Sequence, residues 1–74
     1  MYDTASINGS EFVRRVRRHA RKTGQEFHFD AAHGKGSHGR LYIGERFTTV
    51  QRGELSKGMV AAMLRQLGID PKEF

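Results

Sequence analysis

The sequence predicts an α+β domain in the order α-β-β-β-α, with a three-stranded antiparallel sheet and two helices on one of its faces. Three observations predict it. Apolar residues recur at helical spacing towards each end of the chain, they alternate with polar residues in three short runs between, and glycine-bearing turns separate those runs. At 74 residues the chain is a single domain, residues 1–74, with a modest core.

Residues 1–8 read as a short flexible lead. Asn8, Gly9 and Ser10 offer N-cap chemistry and Glu11 falls in the first turn of a helix. Phe12, Val13, Val16 and Ala20 then form one narrow apolar face, and Gly24 stops a helix placed at residues 9–23. Residues 26–30 alternate as Glu-Phe-His-Phe-Asp, a strand that turns Phe27 and Phe29 to the core. Residues 32–39 hold three glycines and read as a turn. Arg40 to Ile43 alternate again, with Leu41 and Ile43 inward, and Gly44-Glu45 makes a tight hairpin into a third strand over residues 46–50. Residues 51–55 read as a connection. Ser56 caps a second helix whose stripe is Met59, Val60, Met63, Leu64 and Leu67, which makes both Met59 and Met63 core residues, and Gly68 ends it. Asp70-Pro71 starts one further turn, with Phe74 tucked back onto the body.

Charge narrows the partners. Thirteen Lys and Arg oppose eight Asp and Glu, a formal +5, which favours an anionic partner: nucleic acid first, an acidic protein second. Six of the nine residues from 14 to 22 are basic and none is acidic. The chain has no cysteine, so disulfides, thiolate zinc sites and a thiol nucleophile are excluded. No apolar run is long enough to span a bilayer, and the first residues lack a secretory leader's basic start and apolar stretch. With no disulfide in so small a domain, a cytoplasmic location is expected.

Lys35-Gly36-Ser37-His38-Gly39-Arg40 is the densest chemical segment. Glycines at a strand mouth let backbone approach a ligand, and backbone N–H groups in such turns hold phosphate oxygens. Lys35 and Arg40 add positive charge. His38 is the side chain type that both donates and accepts a proton near neutral pH. RNA cleavage by its own 2′-hydroxyl needs one proton removed and one supplied, and a positioned group contributes roughly 10²–10⁴ in rate. The plainer reading is an ordinary Gly-Ser turn before an exposed histidine. His28, His33 and His38 recur at intervals of five, but no carboxylate repeats with them, so no metal or other cofactor is expected. His28 falls outward on the neighbouring strand, near Tyr42 or Arg40.

Gly36-Ser37-His38, then Leu41-Tyr42-Ile43, then residues 54–69 through Arg65-Gln66 to Gly68-Ile69 resemble HicA-type toxins. These carry Gly-Ser-His at the start of the second strand and a final aliphatic helix ending in Lys/Arg-Gln and Gly-Ile. The resemblance covers about half the residues and the whole element order, which is also that of the double-stranded RNA-binding domain. It implies that fold, an endoribonuclease cleaving messenger RNA to arrest translation and growth, and a HicB-type antitoxin covering the active site. It also implies that His38 carries the activity. The chain departs from many relatives in having no tryptophan, and in having Val50-Gln51-Arg52-Gly53 where they place a Pro and a His after the third strand. The second proton-transfer group is therefore left among His28, Tyr42 and Lys35. In the related fold the first helix meets RNA, which suits Arg14, Arg15, Arg18, Arg21 and Lys22, because the planar guanidinium pairs with phosphate. Lys57 adds charge where a helix N-terminus already favours phosphate. Two other readings stand beside the nuclease: a non-catalytic RNA-binding module of the same fold, and a structural subunit whose basic face docks an acidic protein.

Overall fold

The computed structural model describes residues 7–31, 38–51 and 53–74, and at His38 the backbone. The elements are β1 (Ile7–Asn8), α1 (Gly9–Thr23), β2 (Phe27–Asp30), β3 (His38–Ile43), β4 (Arg46–Gln51), β5 (Glu54–Leu55), α2 (Lys57–Leu67) and a closing 3-10 turn, Pro71–Glu73. The chain is a small α+β domain with two helices and a three-stranded antiparallel sheet in the order β2-β3-β4. The registers pair Phe27 with Ile43, Asp30 with Arg40, and His38 with Gln51.

Local chemistry explains the helix limits. Asn8 caps α1 by accepting from the Glu11 N–H at 2.8 Å, and Gly24 ends it in the left-handed region at φ 72°. Ser56 caps α2 by accepting from the Met59 N–H. At its other end Gly68 adopts φ 73°, its N–H reaches the Arg65 carbonyl, and the Ile69 N–H reaches that of Leu64. Ile69 is buried as a result, so the Gly-Ile pair closes the helix and feeds the core in one step. Between β3 and β4, Gly44 at φ 59° supplies the hairpin.

The core joins Phe12, Val16 and Ala20 of α1, Leu41, Ile43 and Val50 of the sheet, Leu55 of β5, and Met63, Leu64 and Leu67 of α2. Phe27 and Phe29 pack against it half-buried. These sheet residues alternate along their strands, so both helices contribute to a cluster on one side while His28, Arg40, Tyr42, Phe47 and Thr49 occupy the other. Thr48 is the exception on the inner side. Its hydroxyl is buried and donates to the Gln66 side-chain oxygen of α2. Gln66→Ala is expected to cost about 1–3 kcal/mol, because it strands a buried hydroxyl. Thr48→Val is expected to cost less, since the exposed Gln66 then turns to water. Denaturant unfolding of both variants checks the order, and an equal or reversed cost would mean that the pair contributes nothing specific.

Several sequence expectations are corrected. Ile7 and Asn8 belong to no loose lead: they form β1, paired antiparallel with β5 inside the expected connection. Residues 1–6 of that lead lie outside the described residues. The first sheet strand begins at Phe27 rather than Glu26, and β4 runs on to Gln51. Of the expected turn over 32–39, residues 32–37 lie outside the described residues, and His38 and Gly39 belong to the strand β3. A Cβ on Gly39 would lie 2.7 Å from the Phe29 ring, so the glycine makes room for an aromatic on the neighbouring strand. Met59 is not core; it is 37% exposed. It lines an open groove with Phe47 where β4 ends the sheet, and no further strand covers it.

Candidate nucleic-acid interface

The basic side chains of α1 divide into two groups. Arg14, Arg17, Arg18 and Arg21 follow the spacing i, i+3, i+4, i+7 and line one exposed groove. Arg17 is absent from the residues singled out by sequence, although that same spacing reveals it. Arg15 belongs elsewhere. Its Nε donates to Glu11 at 2.9 Å and its guanidinium lies 5.5 Å from the Phe74 ring centroid. Arg14 also pairs with Glu11. These hydrogen bonds, from Arg14 first and then Arg15, hold the Glu11 carboxyl below its ordinary range. A depressed carboxyl contributes its stabilisation above the ordinary value and loses it as pH falls through the lowered one, so acid frees both arginines. Among the described residues no acidic side chain pairs with Arg17, Arg18 or Arg21. Lys22 is exposed in the last turn of α1. Lys57 opens α2 and lines, with Arg15, Ile7 and Phe74, a separate groove between the helices.

The outer side of the sheet is polar and aromatic. His28, Tyr42 and Phe47 stand opposite one another across the three strands, with successive ring centroids 5.8 Å apart. The expected neighbourhood of His28 and Tyr42 is thus present, and Phe47 extends it. Arg40 lies one row along, paired with Asp30 and Thr49 in register, its guanidinium 5.1 Å from the Phe47 centroid. Its Nε is buried and has no hydrogen-bond partner among the described residues. The next row is His38 opposite Gln51. A second groove, lined by Arg17, Arg21, Gln25, Phe27, His28 and Phe29, joins the α1 cluster to the outer end of the aromatic row.

The end of the sheet at His38 and Gln51 adjoins the starts of the helices. The Gly9 N–H donates to the Gly53 carbonyl at 2.8 Å, and a Cβ on Gly9 would lie 2.5 Å from the Gln51 carbonyl oxygen. Asn8, the N-cap of α1, is the second residue of β1, and Ser56, the N-cap of α2, directly follows β5. Helix N-termini are favourable for anions.

Strand geometry sorts the remaining candidates. At about 3.3 Å per residue, position 40 is roughly 7 Å from position 38, and position 42 roughly 13 Å. Position 40 is close enough to meet the same ligand as position 38. His28 and Tyr42 are too far to share one proton transfer with it, since catalytic groups work at hydrogen-bond reach of about 3 Å. Lys35, Gly36, Ser37 and His33 lie outside the described residues. Among the described residues no three His, Asp or Glu side chains gather as a metal site, and no helix is long and apolar enough to cross a membrane. No protein-family model, curated protein or solved structure matches the chain.

Proposed function

We propose that this protein is a ribonuclease toxin of the HicA type, built on a double-stranded-RNA-binding-like arrangement, that binds and cleaves messenger RNA. The observation that carries the proposal is the line of positions 38, 40 and 42 on the outer side of β3, with an Arg40 Nε that is buried and without a hydrogen-bond partner among the described residues. His38 transfers the proton, as base at the 2′-hydroxyl or acid at the leaving oxygen. The 2′-oxygen attacks phosphorus, the bond to the 5′-oxygen breaks, and the products are a cyclic phosphate and a 5′-hydroxyl. Arg40 and Lys35 neutralise the phosphate. A HicB-type antitoxin silences the enzyme by covering this face, and complementary charge on an acidic partner speeds the encounter.

Incubation of the purified protein with RNA, with and without EDTA, tests the reading. Cleavage that survives the chelator and yields cyclic phosphate ends is expected. Binding without cleavage would instead identify a non-catalytic RNA-binding module. Loss with EDTA, restored by zinc or magnesium, would replace the metal-free mechanism.

The arginine groups give a second measurable expectation. On single strands each phosphate contact contributes about −0.7 to the slope of log affinity against log salt. Changing Arg17, Arg18 and Arg21 together to Gln is expected to flatten that slope by about 2. Arg15→Gln is expected to change it little and to loosen Phe74 instead. An unchanged slope in the triple variant would show that α1 does not touch RNA.

A further inference from the structure

The rings of the aromatic row have no part in the proton transfers proposed above. Phe47 is 50% exposed on an edge strand, a costly position for a large apolar ring unless something covers it. His28 is exposed beside it and Tyr42 half-buried between them. A duplex has its bases stacked internally and offers no faces to such rings, whereas an unpaired strand offers one at every nucleotide. Cationic side chains flank both ends: Arg40 against Phe47, and Arg17 with Arg21 in the groove beside His28. Rings for bases and guanidinium groups for phosphates, alternating over a short distance, form the chemistry of a single-strand platform.

We infer that the open face of the sheet binds unpaired RNA, with bases stacking on His28, Tyr42 and Phe47 and the backbone running off along Arg17 and Arg21. The inference rests on the RNA reading above and deepens it. The stacked bases lie roughly 13 Å along β3 from His38, so they belong to nucleotides flanking the cut rather than to the cut itself. The substrate must then be single-stranded beside the scissile bond, even though the fold resembles one that reads duplexes.

The test uses the full chain and a 2′-O-methyl oligoadenylate, which lacks the attacking hydroxyl and so reports binding without cleavage. The same strand annealed to its complement is the duplex probe. The wild-type protein is expected to prefer the single strand. Tyr42→Ala and Phe47→Ala are each expected to weaken single-strand binding about 5- to 100-fold, with duplex binding little changed. Tyr42→Phe should restore it to within about twofold, because the ring face is kept. The chain has no tryptophan and two tyrosines, Tyr2 and Tyr42, so Tyr2→Phe makes Tyr42 the sole fluorophore, and its emission should be quenched by the single strand alone. Far-UV circular dichroism checks that each variant is folded, and the fluorescence readout needs no change on the sheet at all. Wild-type single-strand affinity in both alanine variants, or unquenched Tyr42 emission in saturated complexes, would overturn the platform while leaving RNA binding standing. A wild-type protein that binds neither probe would overturn the RNA reading and the platform together.

Discussion

Replacing His38 by alanine is expected to remove RNA cleavage, a loss on the order of 10²–10⁴ in rate, while the fold persists. Position 38 is the first residue of β3, and its strand pairing with Gln51 is made by backbone groups that alanine retains. The sequence reads position 38 as an exposed residue at a strand mouth, so stability should change by no more than about 0.5 kcal/mol. Antitoxin binding should survive, because a partner covering this face has Arg40, Tyr42 and Phe47 to grip. Thermal unfolding, cleavage and complex formation measured on one preparation check all three expectations. A folded variant that cuts RNA at the native rate would end the assignment of His38. An unfolded variant would make His38 a structural residue and favour the binding-module reading.

The two halves of the family resemblance do different work. Arg65-Gln66 and Gly68-Ile69 have complete structural explanations: Gln66 satisfies the buried Thr48, Gly68 takes the left-handed turn, and Ile69 enters the core. That part of the pattern reports the fold. The functional part rests on Gly36-Ser37-His38 and on Arg40, whose buried Nε has no hydrogen-bond partner among the described residues. Both helices were legible because caps and apolar stripes are local signals, and the Gly44-Glu45 hairpin because a tight turn demands a particular backbone. The β1–β5 pair was not legible, since two residues carry no periodicity and find their partner only in the folded chain. Met59 follows the stripe of α2 yet stays exposed, because helical spacing cannot tell that the sheet stops at β4. Gly39 resembled a turn glycine, and only the neighbouring Phe29 ring explains it. The aromatic row was half visible. Opposite placement of His28 and Tyr42 follows from strand pairing, but Phe47 joins them only once the register across the hairpin is fixed.

Phe12→Ala is expected to abolish activity by another route, through the fold. Phe12 is fully buried in α1, and its ring packs on Phe74 with centroids 5.2 Å apart. Truncating such a ring typically costs about 3–5 kcal/mol, from lost transfer energy and the cavity left behind. A domain of this length has a total stability of roughly 4–11 kcal/mol, so between about a quarter and all of it would go. The melting temperature should fall by more than about 12 °C. Phe74→Ala should cost less, since that ring is only half-buried at the chain end, and it should leave Arg15 without its aromatic neighbour. The His38 and Phe12 variants are distinguished by temperature. Cooling should return RNA binding and cleavage to Phe12→Ala as the folded fraction rises, whereas His38→Ala should stay inactive at every temperature at which it is folded. A Phe12→Ala protein that melts within a few degrees of the wild type would show that the α1 packing described here does not hold the domain together. One that is fully folded yet inactive in the cold would tie the position of α1, and with it the Arg17 and Arg21 groove, directly to catalysis.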